Sequence, residues 1–175
     1  IHKIYDNKVN LIKSIDLLVI DEISMVRADI LDAVDETLRT FKNRNLPFGG
    51  VQLLMIGDLQ QLAPIVRRDE RAILDRYYDT VYFFGSHALK RSNFIGIELK
   101  HIYRQTDQSF INLLNKVRDN KMDNFDIELL KSRYIQNFIP EDDEGYITLT
   151  THNYQSKKIN DTKLKILKTE LFTFE

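Results

Sequence analysis

Two apolar runs of this chain each stop abruptly at acidic residues. The first, LLVIDEISMV (residues 17–26), reaches Asp21 and Glu22 after four aliphatic residues, and the second, VQLLMIGDLQQLAPI (residues 51–65), reaches Asp58. Runs that are apolar at nearly every position are typical of parallel strands that helices cover on both faces. A carboxylate at the end of such a strand is partly desolvated, which costs free energy unless a cation or hydrogen-bond donors face it. We therefore expect the fold to bring positive charge or donors to these strand ends.

Apolar periodicity organises the rest of the chain. Apolar residues recur every three or four positions over residues 24–41, which predicts a helix between the strands predicted over 16–21 and 51–56. Further helices are predicted over 70–77, 106–118, 124–134 and 155–168, and further strands over 80–84, 94–99, 146–151 and 171–174. Strands that alternate with helices indicate an α/β protein with a largely parallel sheet. Because ligands bind outside the carboxyl ends of such strands, Asp21, Glu22 and Asp58 are predicted to share the ligand-binding edge.

The composition of the chain excludes several kinds of site. The 175 residues carry a net charge of −1, contain no cysteine and form no apolar run long enough to span a bilayer. Disulfides and thiolate metal sites are excluded, and a reducing location, cytoplasmic or nucleoid-associated, is expected. The four histidines lack metal-ligand spacing, so no zinc site is expected. The small net charge does not exclude nucleic acid as a partner, because a binding groove needs only local positive charge.

The acid-terminated runs indicate phosphoryl-transfer chemistry. An aliphatic strand that ends in Asp-Glu before a helix matches the Mg²⁺-holding strand of P-loop NTPases, in which the Asp binds the metal around the phosphates. Glu22 would then orient or deprotonate the attacking water. Gln61, just beyond the second strand, can hydrogen-bond a γ-phosphate or that water. The alternatives are that the Asp-Glu pair only favours the positive amino end of the following helix, and that the glutamine is a surface amide.

Four segments resemble, in order along the chain, successive motifs of the superfamily 1B helicases. They are LLVIDEISMV, LPFGGVQLLMIGDLQQLAPI, ELKHIYRQTDQSFINLLNKVRDNK and ITLTTHNYQSKKIN. The likeness is greatest to the petite-integration-frequency family, with the RecD-like enzymes next. It implies a motor that hydrolyses ATP and moves 5′ to 3′ along single-stranded DNA. It also implies an incomplete P-loop NTPase (RecA-like) parallel sheet with flanking helices over residues 1–92, and the start of a second RecA-like lobe over residues 93–175.

The resemblance implies roles for individual residues. Asp21 would be the Mg²⁺ ligand, Glu22 the catalytic base and Gln61 the phosphate sensor, with Asp58 beside them in the ATP site. Arg104, in YRQ, would be the arginine finger. A fixed guanidinium stabilises the negative charge that spreads over the γ-phosphate oxygens, and such a finger is worth roughly 10³–10⁵ in rate. The alternative for Arg104 is a solvated surface arginine.

The phosphate loop that should face these acids does not occur in this sequence. None of the six glycines begins a G-x-x-x-x-G-K-[ST] match. The family order places that loop before Ile1. The chain begins with Ile rather than with an initiator Met, so we expect an excised or processed piece that cannot hydrolyse ATP unaided. Two smaller departures are Ala63-Pro64, where family members often have Pro-Pro, and His152-Asn153, where Thr-Asn is usual.

Aromatic residues beside basic ones indicate where DNA would bind. Single-strand grooves combine cations with aromatic stacking platforms, which favours Phe84 and His87, since a basic pair lies close to them. Asn153 is carried over from the resemblance as a contact to the DNA backbone. The alternative is that the aromatic run over 82–84 belongs to the core and the basic pair to a solvated turn. A monomer that acts on single-stranded DNA, with no membrane partner, is expected.

Three other functions stay open at this stage. A response-regulator receiver also has an acid-terminated strand, but GDLQQLAP is wrong for its second acidic strand. A clamp-loader-type ATPase usually carries a polar sensor where this chain has Gly57-Asp58, and it would assemble as a ring. A non-catalytic module for DNA or a protein partner would bind single-stranded DNA tightly without nucleotide, with an affinity that falls steeply as salt rises.

Overall fold

The structure, a computed structural model, describes residues 6–141, 144–167, 169 and 172. The chain divides into two compact units, Ile1–Asp119 and Asn120–Glu175. The lobe boundary predicted near Ser92 lies inside the first unit and stays a prediction.

Seven α-helices and two strands are assigned in the described residues. The helices are α1 (Asp6–Ser14), α2 (Ala28–Phe41), α3 (Arg68–Leu74), α4 (His87–Lys90), α5 (Gln108–Arg118), α6 (Asn124–Lys131) and α7 (Asn153–Ile166), and the strands are β1 (Leu17–Ile20) and β2 (Gln52–Met55). The five helices predicted from periodicity are confirmed as α2, α3, α5, α6 and α7, with shifted ends. Periodicity misses α1, and it misses α4 because four residues are too few to show a period. None of the helices in the described part of the chain is both long and apolar enough to cross a membrane.

The two acid-terminated runs form β1 and β2, which pair in parallel with Leu17 opposite Gln52 and Ile20 opposite Met55. The predicted parallel pairing is therefore confirmed. One face of this sheet packs on the core through alternate residues, namely Leu18, Ile20, Leu53 and Met55. On the other face, Val19 is 50% exposed and Leu54 is 46% exposed. The expectation that helices cover both faces is wrong for the described residues, since the core of the first unit lies against one face only.

Helix α2 supplies the centre of the core in the first unit. Leu31 and Leu38, on one side of this helix, are almost fully buried. They pack in one cluster with residues that precede β2 and residues of α4, namely Phe48, Val51, Ala88 and Leu89. Asp35, also on α2, is only 3% exposed, and its Oδ1 accepts the backbone N–H of Phe48 at 2.6 Å. The helix therefore anchors the segment before β2 by both apolar packing and a buried carboxylate.

The start of α2 differs from the prediction over residues 24–41. A 3₁₀ turn over Ile23–Met25 comes first, and the α-helix begins at Ala28. Arg27 between them is extended, and its guanidinium pairs with Asp29 at 2.6 Å and with Glu70 at 2.8 Å. The hydrogen bond to Asp29 is the largest cause that raises the pKa of Arg27, and the same bond lowers the pKa of Asp29. This ion triad links the start of α2 to α3.

The further predicted strands do not form in the described residues. Over 80–84, Tyr82 makes a single antiparallel bridge with Arg27, and Phe83–Gly85 forms a 3₁₀ turn. Residues 94–99 and 146–151 adopt neither helix nor strand, so these predictions are also wrong. A strand is stabilised by ladder hydrogen bonds to a neighbouring strand, and within the described ranges only β1 and β2 form such a ladder. The strand predicted over 171–174 lies largely outside the described residues.

Candidate functional site

β1 and β2 end side by side, and the residues that follow them form the candidate site. The Ile56 N–H donates to the Ile20 carbonyl at 2.9 Å, and the Ile23 N–H donates to the Ile56 carbonyl at 2.9 Å. These bonds tie the acid turn (residues 21–24) to the end of β2, where the glutamine loop (residues 57–61) begins. The prediction that the acids after both strands lie at one sheet edge is therefore confirmed. The catalytic roles of these residues stay predictions.

Gly57 keeps the acid turn and the glutamine loop in contact. A Cβ atom at this position would lie 2.9 Å from the backbone nitrogen of Ile23 and 3.2 Å from that of Ser24. Real Cβ atoms essentially never approach other atoms as closely as the first of these distances. Ser24 is only 1% exposed, so the acid turn has little room to move away. Only glycine allows the two segments to approach this closely.

Glu22 has an unusual backbone conformation in the acid turn. Its φ of 50° and ψ of 43° lie in the left-handed helical region, which costs a residue with a side chain about 1–2 kcal/mol. The Oδ1 atom of Asp21 accepts the Glu22 N–H at 2.8 Å and so supports this conformation. Both acidic residues are exposed. Such strain in an exposed residue is typical of functional sites, where it fixes the direction of a side chain.

Asp58 organises the glutamine loop. Its Oδ1 accepts the Gln60 N–H at 3.0 Å, and its backbone carbonyl accepts the Gln61 N–H at 3.1 Å. Its Oδ2 accepts the Gln61 side-chain amide at 3.4 Å. The side chain of Asp58 is 24% exposed, whereas Gln61 is an exposed residue. Asp58, which the sequence placed in the ATP site, thus positions the predicted phosphate sensor.

Arg118 is a residue at this site that sequence reasoning missed. Its Nη2 lies 3.1 Å from Asp58 Oδ1, and its Nε donates to the side-chain carbonyl of Gln60. Arg118 supplies the positive charge that the sequence required at the end of β2. No local signal could identify it, because it ends α5, far along the chain from the loop that it contacts.

Arg104 lies in the segment before α5, which has neither helical nor strand structure. It is exposed, and none of the hydrogen bonds and ion pairs found among the described residues joins it to Asp21, Glu22 or Asp58. The structure therefore brings the acid turn and the glutamine loop together but does not join Arg104 to them. Its role as an arginine finger stays a prediction.

The residues predicted to contact DNA have different surroundings. Phe84 is 44% exposed, and its ring stacks on Tyr82 with the centroids 5.3 Å apart. His87 stacks on Tyr78 at 5.0 Å, and its Nε2 lies 3.0 Å from the Tyr77 carbonyl oxygen. Asn153, in the second unit, is the first residue of α7 and is exposed. Phe84 also meets the ring of Phe83 edge-on at 5.4 Å, so the rings of Phe84 and His87 both take part in local stacking while both residues stay exposed.

Asp32 on α2 holds the segment that carries His87. Its carboxylate accepts hydrogen bonds from Tyr78 Oη (2.9 Å), Ser86 Oγ (2.6 Å) and the N–H groups of His87 (3.2 Å) and Ala88 (2.9 Å). Burial acts to raise the pKa of this carboxyl, but the four hydrogen bonds outweigh burial and hold the pKa below its ordinary value. Burial, together with the bond to Asp32, raises the pKa of Tyr78 to about 12.

The described residues contain no group of three or more His, Cys, Asp or Glu side chains arranged to hold a metal ion. The expected ligand, Asp21, is exposed and uses Oδ1 to accept a backbone N–H. Mg²⁺ is usually held by one or two carboxylates together with water and substrate phosphates. A single exposed carboxylate at a sheet edge therefore fits a magnesium ion that binds together with a nucleotide.

Comparisons with the sequences of known proteins identify the family. The family model of the PIF1-like helicases matches residues 3–128. The ATP-dependent DNA helicase PIF1 of Danio rerio is 34% identical over 151 residues, which are 86% of this chain and 22% of that protein. The human protein of the same name is 41% identical over 101 residues, which are 58% of this chain and 14% of that protein.

Solved structures give the same result for the fold. The crystal structure of a Bacteroides Pif1 helicase in complex with ADP-AlF3 and ssDNA superposes with a TM-score of 0.85 at 40% identity, covering 97% of this chain and 40% of that one. The predicted fold class, an incomplete RecA-like parallel sheet with flanking helices, is confirmed. The chain spans well under half the length of these relatives. Because the family model matches more than half of its residues, the chain belongs to the PIF1-like helicase family.

Proposed function

We propose that this chain is part of an ATP-dependent DNA helicase that couples ATP hydrolysis to 5′-to-3′ movement along single-stranded DNA. The observation that carries the proposal is the contact between the acid turn and the glutamine loop at one sheet edge. ATP as the nucleotide is inferred from the names of the relatives. Single-stranded DNA as the partner is inferred from the Bacteroides complex with ADP-AlF3 and ssDNA.

Four side chains would carry the hydrolysis. Asp21 would hold Mg²⁺, which neutralises charge on the nucleotide phosphates when it is bound. Glu22 would orient the attacking water and accept its proton, and the strained backbone of this residue would keep its carboxylate in one direction. Gln61 would hydrogen-bond the γ-phosphate or the water from the glutamine loop. Arg104 would reach the γ-phosphate oxygens when the second lobe closes, which links hydrolysis to movement.

The decisive experiment measures the DNA-stimulated ATPase activity of the full-length protein that contains this chain. Glu22→Gln should lower kcat by about 10²–10⁴, because the variant loses general-base catalysis. The matched control is Glu36→Gln, which changes an exposed carboxylate on α2 and should leave kcat unchanged. Turnover by Glu22→Gln at the wild-type rate would refute the proposal.

The isolated 175-residue chain is expected to show no ATP turnover, because its sequence contains no phosphate-loop match. A steady-state assay on the purified chain measures this directly. Turnover that Glu22→Gln abolishes would show that the chain needs no such loop and would contradict the expectation.

Phe84 is proposed to stack on a DNA base, since its ring is 44% exposed at the surface. Stacking on an aromatic side chain is worth about 1–3 kcal/mol per base, so Phe84→Ala should weaken single-stranded DNA binding by roughly 5- to 150-fold. Fluorescence anisotropy of a labelled oligonucleotide measures the change, and Tyr77→Ala, which truncates another exposed ring, is the control. Equal affinities of Phe84→Ala and the wild type would remove Phe84 from the interface. His87 and Asn153 are proposed as further DNA contacts.

We propose that the motor is a monomer in solution. One related structure is described as DNA unwinding at forked dsDNA by two coordinating Pif1 helicases, so two copies on one DNA are compatible with a monomeric protein in solution. Sedimentation of the full-length protein without DNA separates a monomer from the ring that a clamp-loader-type ATPase would form.

A further inference from the structure

Arg118, the last residue of α5, contacts two neighbouring side chains of the glutamine loop. Its Nη2 lies 3.1 Å from Asp58 Oδ1, and its Nε donates to Gln60 Oε1. The side chain of Arg118 is 51% exposed and that of Asp58 is 24% exposed. The guanidinium therefore makes a partly solvated contact with the loop and uses two donors at a fixed spacing. A point charge such as that of lysine could not reproduce both contacts.

Asp58 passes this contact on to Gln61. The same Oδ1 atom that Arg118 contacts also accepts the Gln60 N–H at 3.0 Å, and Oδ2 accepts the Gln61 side-chain amide at 3.4 Å. The Asp58 carbonyl accepts the Gln61 N–H at 3.1 Å. Rotation of the Asp58 carboxylate would therefore disturb both the backbone turn and the amide of Gln61. Arg118 restrains that rotation.

We propose that Arg118 is a positioning residue that holds the glutamine loop, and with it Gln61, in place for ATP hydrolysis. This inference rests on the proposed function, because the role of Gln61 as the phosphate sensor is part of it. Helix α5 has Arg104 shortly before its start and Arg118 at its end.

A purely structural ion pair predicts a different outcome. Exposed pairs contribute little to the free energy of unfolding, so removal of Arg118 would then leave the melting temperature, the loop and the kinetics nearly unchanged. A positioning role predicts a local effect on the loop and a selective effect on turnover. These two readouts, loop exchange and turnover, distinguish the two roles.

The first measurement is amide hydrogen exchange of the glutamine loop in the full-length protein without nucleotide. In Arg118→Ala, the Gln60 and Gln61 amides should exchange about threefold faster than in the wild type, because Asp58, whose oxygens accept both N–H groups, is no longer restrained. Arg118→Lys, which keeps the charge but loses the second donor, should give an intermediate rate. Arg76→Ala, which removes an exposed arginine after α3, is the matched control and should leave the loop unchanged.

The second measurement is steady-state ATP hydrolysis with saturating single-stranded DNA. Arg118→Ala should lower kcat on the order of tenfold, since a misplaced catalytic group slows the reaction, while KM for ATP should stay near its wild-type value. Arg118→Lys should recover part of the lost kcat. Unchanged loop exchange in Arg118→Ala, or faster exchange with an unchanged kcat, would overturn the proposal.

The two measurements also separate this inference from the proposed function. If the wild-type protein does not hydrolyse ATP, the proposed function fails and so does the role of Arg118 in turnover. The exchange measurement needs no turnover, so it still decides whether Arg118 holds the glutamine loop. Faster exchange in Arg118→Ala supports that contact, and unchanged exchange refutes it.

Discussion

Glu22 and Phe48 have nearly the same backbone conformation in opposite surroundings. Their φ angles are 50° and 51°, both in the region that residues with side chains rarely adopt. Phe48 is 4% exposed, packs in the core cluster and donates its N–H to the buried Asp35 carboxylate. Glu22 is exposed, and its N–H is held by the neighbouring Asp21. Packing offsets the strain at Phe48, whereas the strain at Glu22 has no such compensation and is best explained by function.

Replacing Phe48 or Glu22 by glycine tests this contrast. The larger change in stability is expected at Phe48. Glycine relieves the backbone strain but deletes a buried ring, so Phe48→Gly should lower the free energy of unfolding by about 3 kcal/mol net. Urea denaturation followed by circular dichroism measures the loss. Leu46→Ala, at a neighbouring side chain that is 48% exposed, should cost far less. A loss at Phe48 no larger than that at Leu46 would mean that packing does not maintain its conformation.

Asp35→Ala tests the polar part of the same support. The change leaves a buried N–H without its acceptor and removes the partner of Arg39 (3.6 Å) and Arg91 (3.5 Å). We expect a loss of about 2–3 kcal/mol, measured by the same denaturation. Glu36→Ala, at the next and exposed position of α2, is the control and should change stability little. Equal stability of the two variants would contradict a supporting role for Asp35.

Asp32→Asn extends the comparison to a second carboxylate of α2. The folded-state pKa of Asp32 lies below its ordinary value, so its contribution to stability is present above the unfolded pKa and is lost as pH falls through the folded pKa. Asn keeps one acceptor oxygen, and we expect a loss of about 1–2 kcal/mol at pH 7 with a weaker dependence on pH in the acid range. Melting temperatures of the variant and the wild type, measured from pH 7 down to the pH at which the wild type unfolds, give both effects.

Tyr78→Phe tests a group whose contribution to stability is lost at alkaline pH and not at acid pH. The pKa of Tyr78 is raised to about 12, so its contribution is present below the unfolded pKa and is lost as pH rises through the folded value. The Phe variant should therefore lose part of the alkaline dependence. It also removes one of the four hydrogen bonds to Asp32, so the acid dependence should become slightly weaker. If Asp32→Asn loses stability with falling pH in the same way as the wild type, Asp32 is not the cause of that acid dependence.

Glu22→Gly should have the smallest effect on stability and the opposite direction. Relief of the left-handed conformation should raise the free energy of unfolding by about 1 kcal/mol, because no buried contact is lost. Glu22→Ala, which removes the carboxylate but keeps the strain, is the matched control and should show no such gain. A gain in both variants would mean that the carboxylate, rather than the backbone, destabilises the acid turn.

Local patterns were sufficient for part of this molecule. Continuous apolar runs predicted β1 and β2, and their shared direction predicted that the acid turn and the glutamine loop meet at one edge. Periodicity predicted the longer helices. Each of these predictions depends on neighbouring residues or on the general geometry of parallel sheets.

Contacts between residues distant in sequence were not predictable in this way. Arg118 meets Asp58 although the two residues are 60 positions apart, and the hydrogen bonds of Asp32 reach the segment that carries Ser86. The strand predicted over 80–84 failed for the same reason, since its aromatic pattern does not specify a pairing partner and the structure gives Tyr82 one bridge only. A sequence specifies which residues favour extended backbone, but pairing decides whether they form a sheet.

The sheet of β1 and β2 packs on the core through one face only, which has a practical consequence for work with the isolated chain. The exposed aliphatic side chains on the second face of the two-stranded sheet, Val19 and Leu54, favour aggregation as the protein concentration rises. A preparation of this polypeptide alone would therefore benefit from a hydrophilic replacement such as Val19→Thr, which keeps β-branching while it makes that surface more compatible with water.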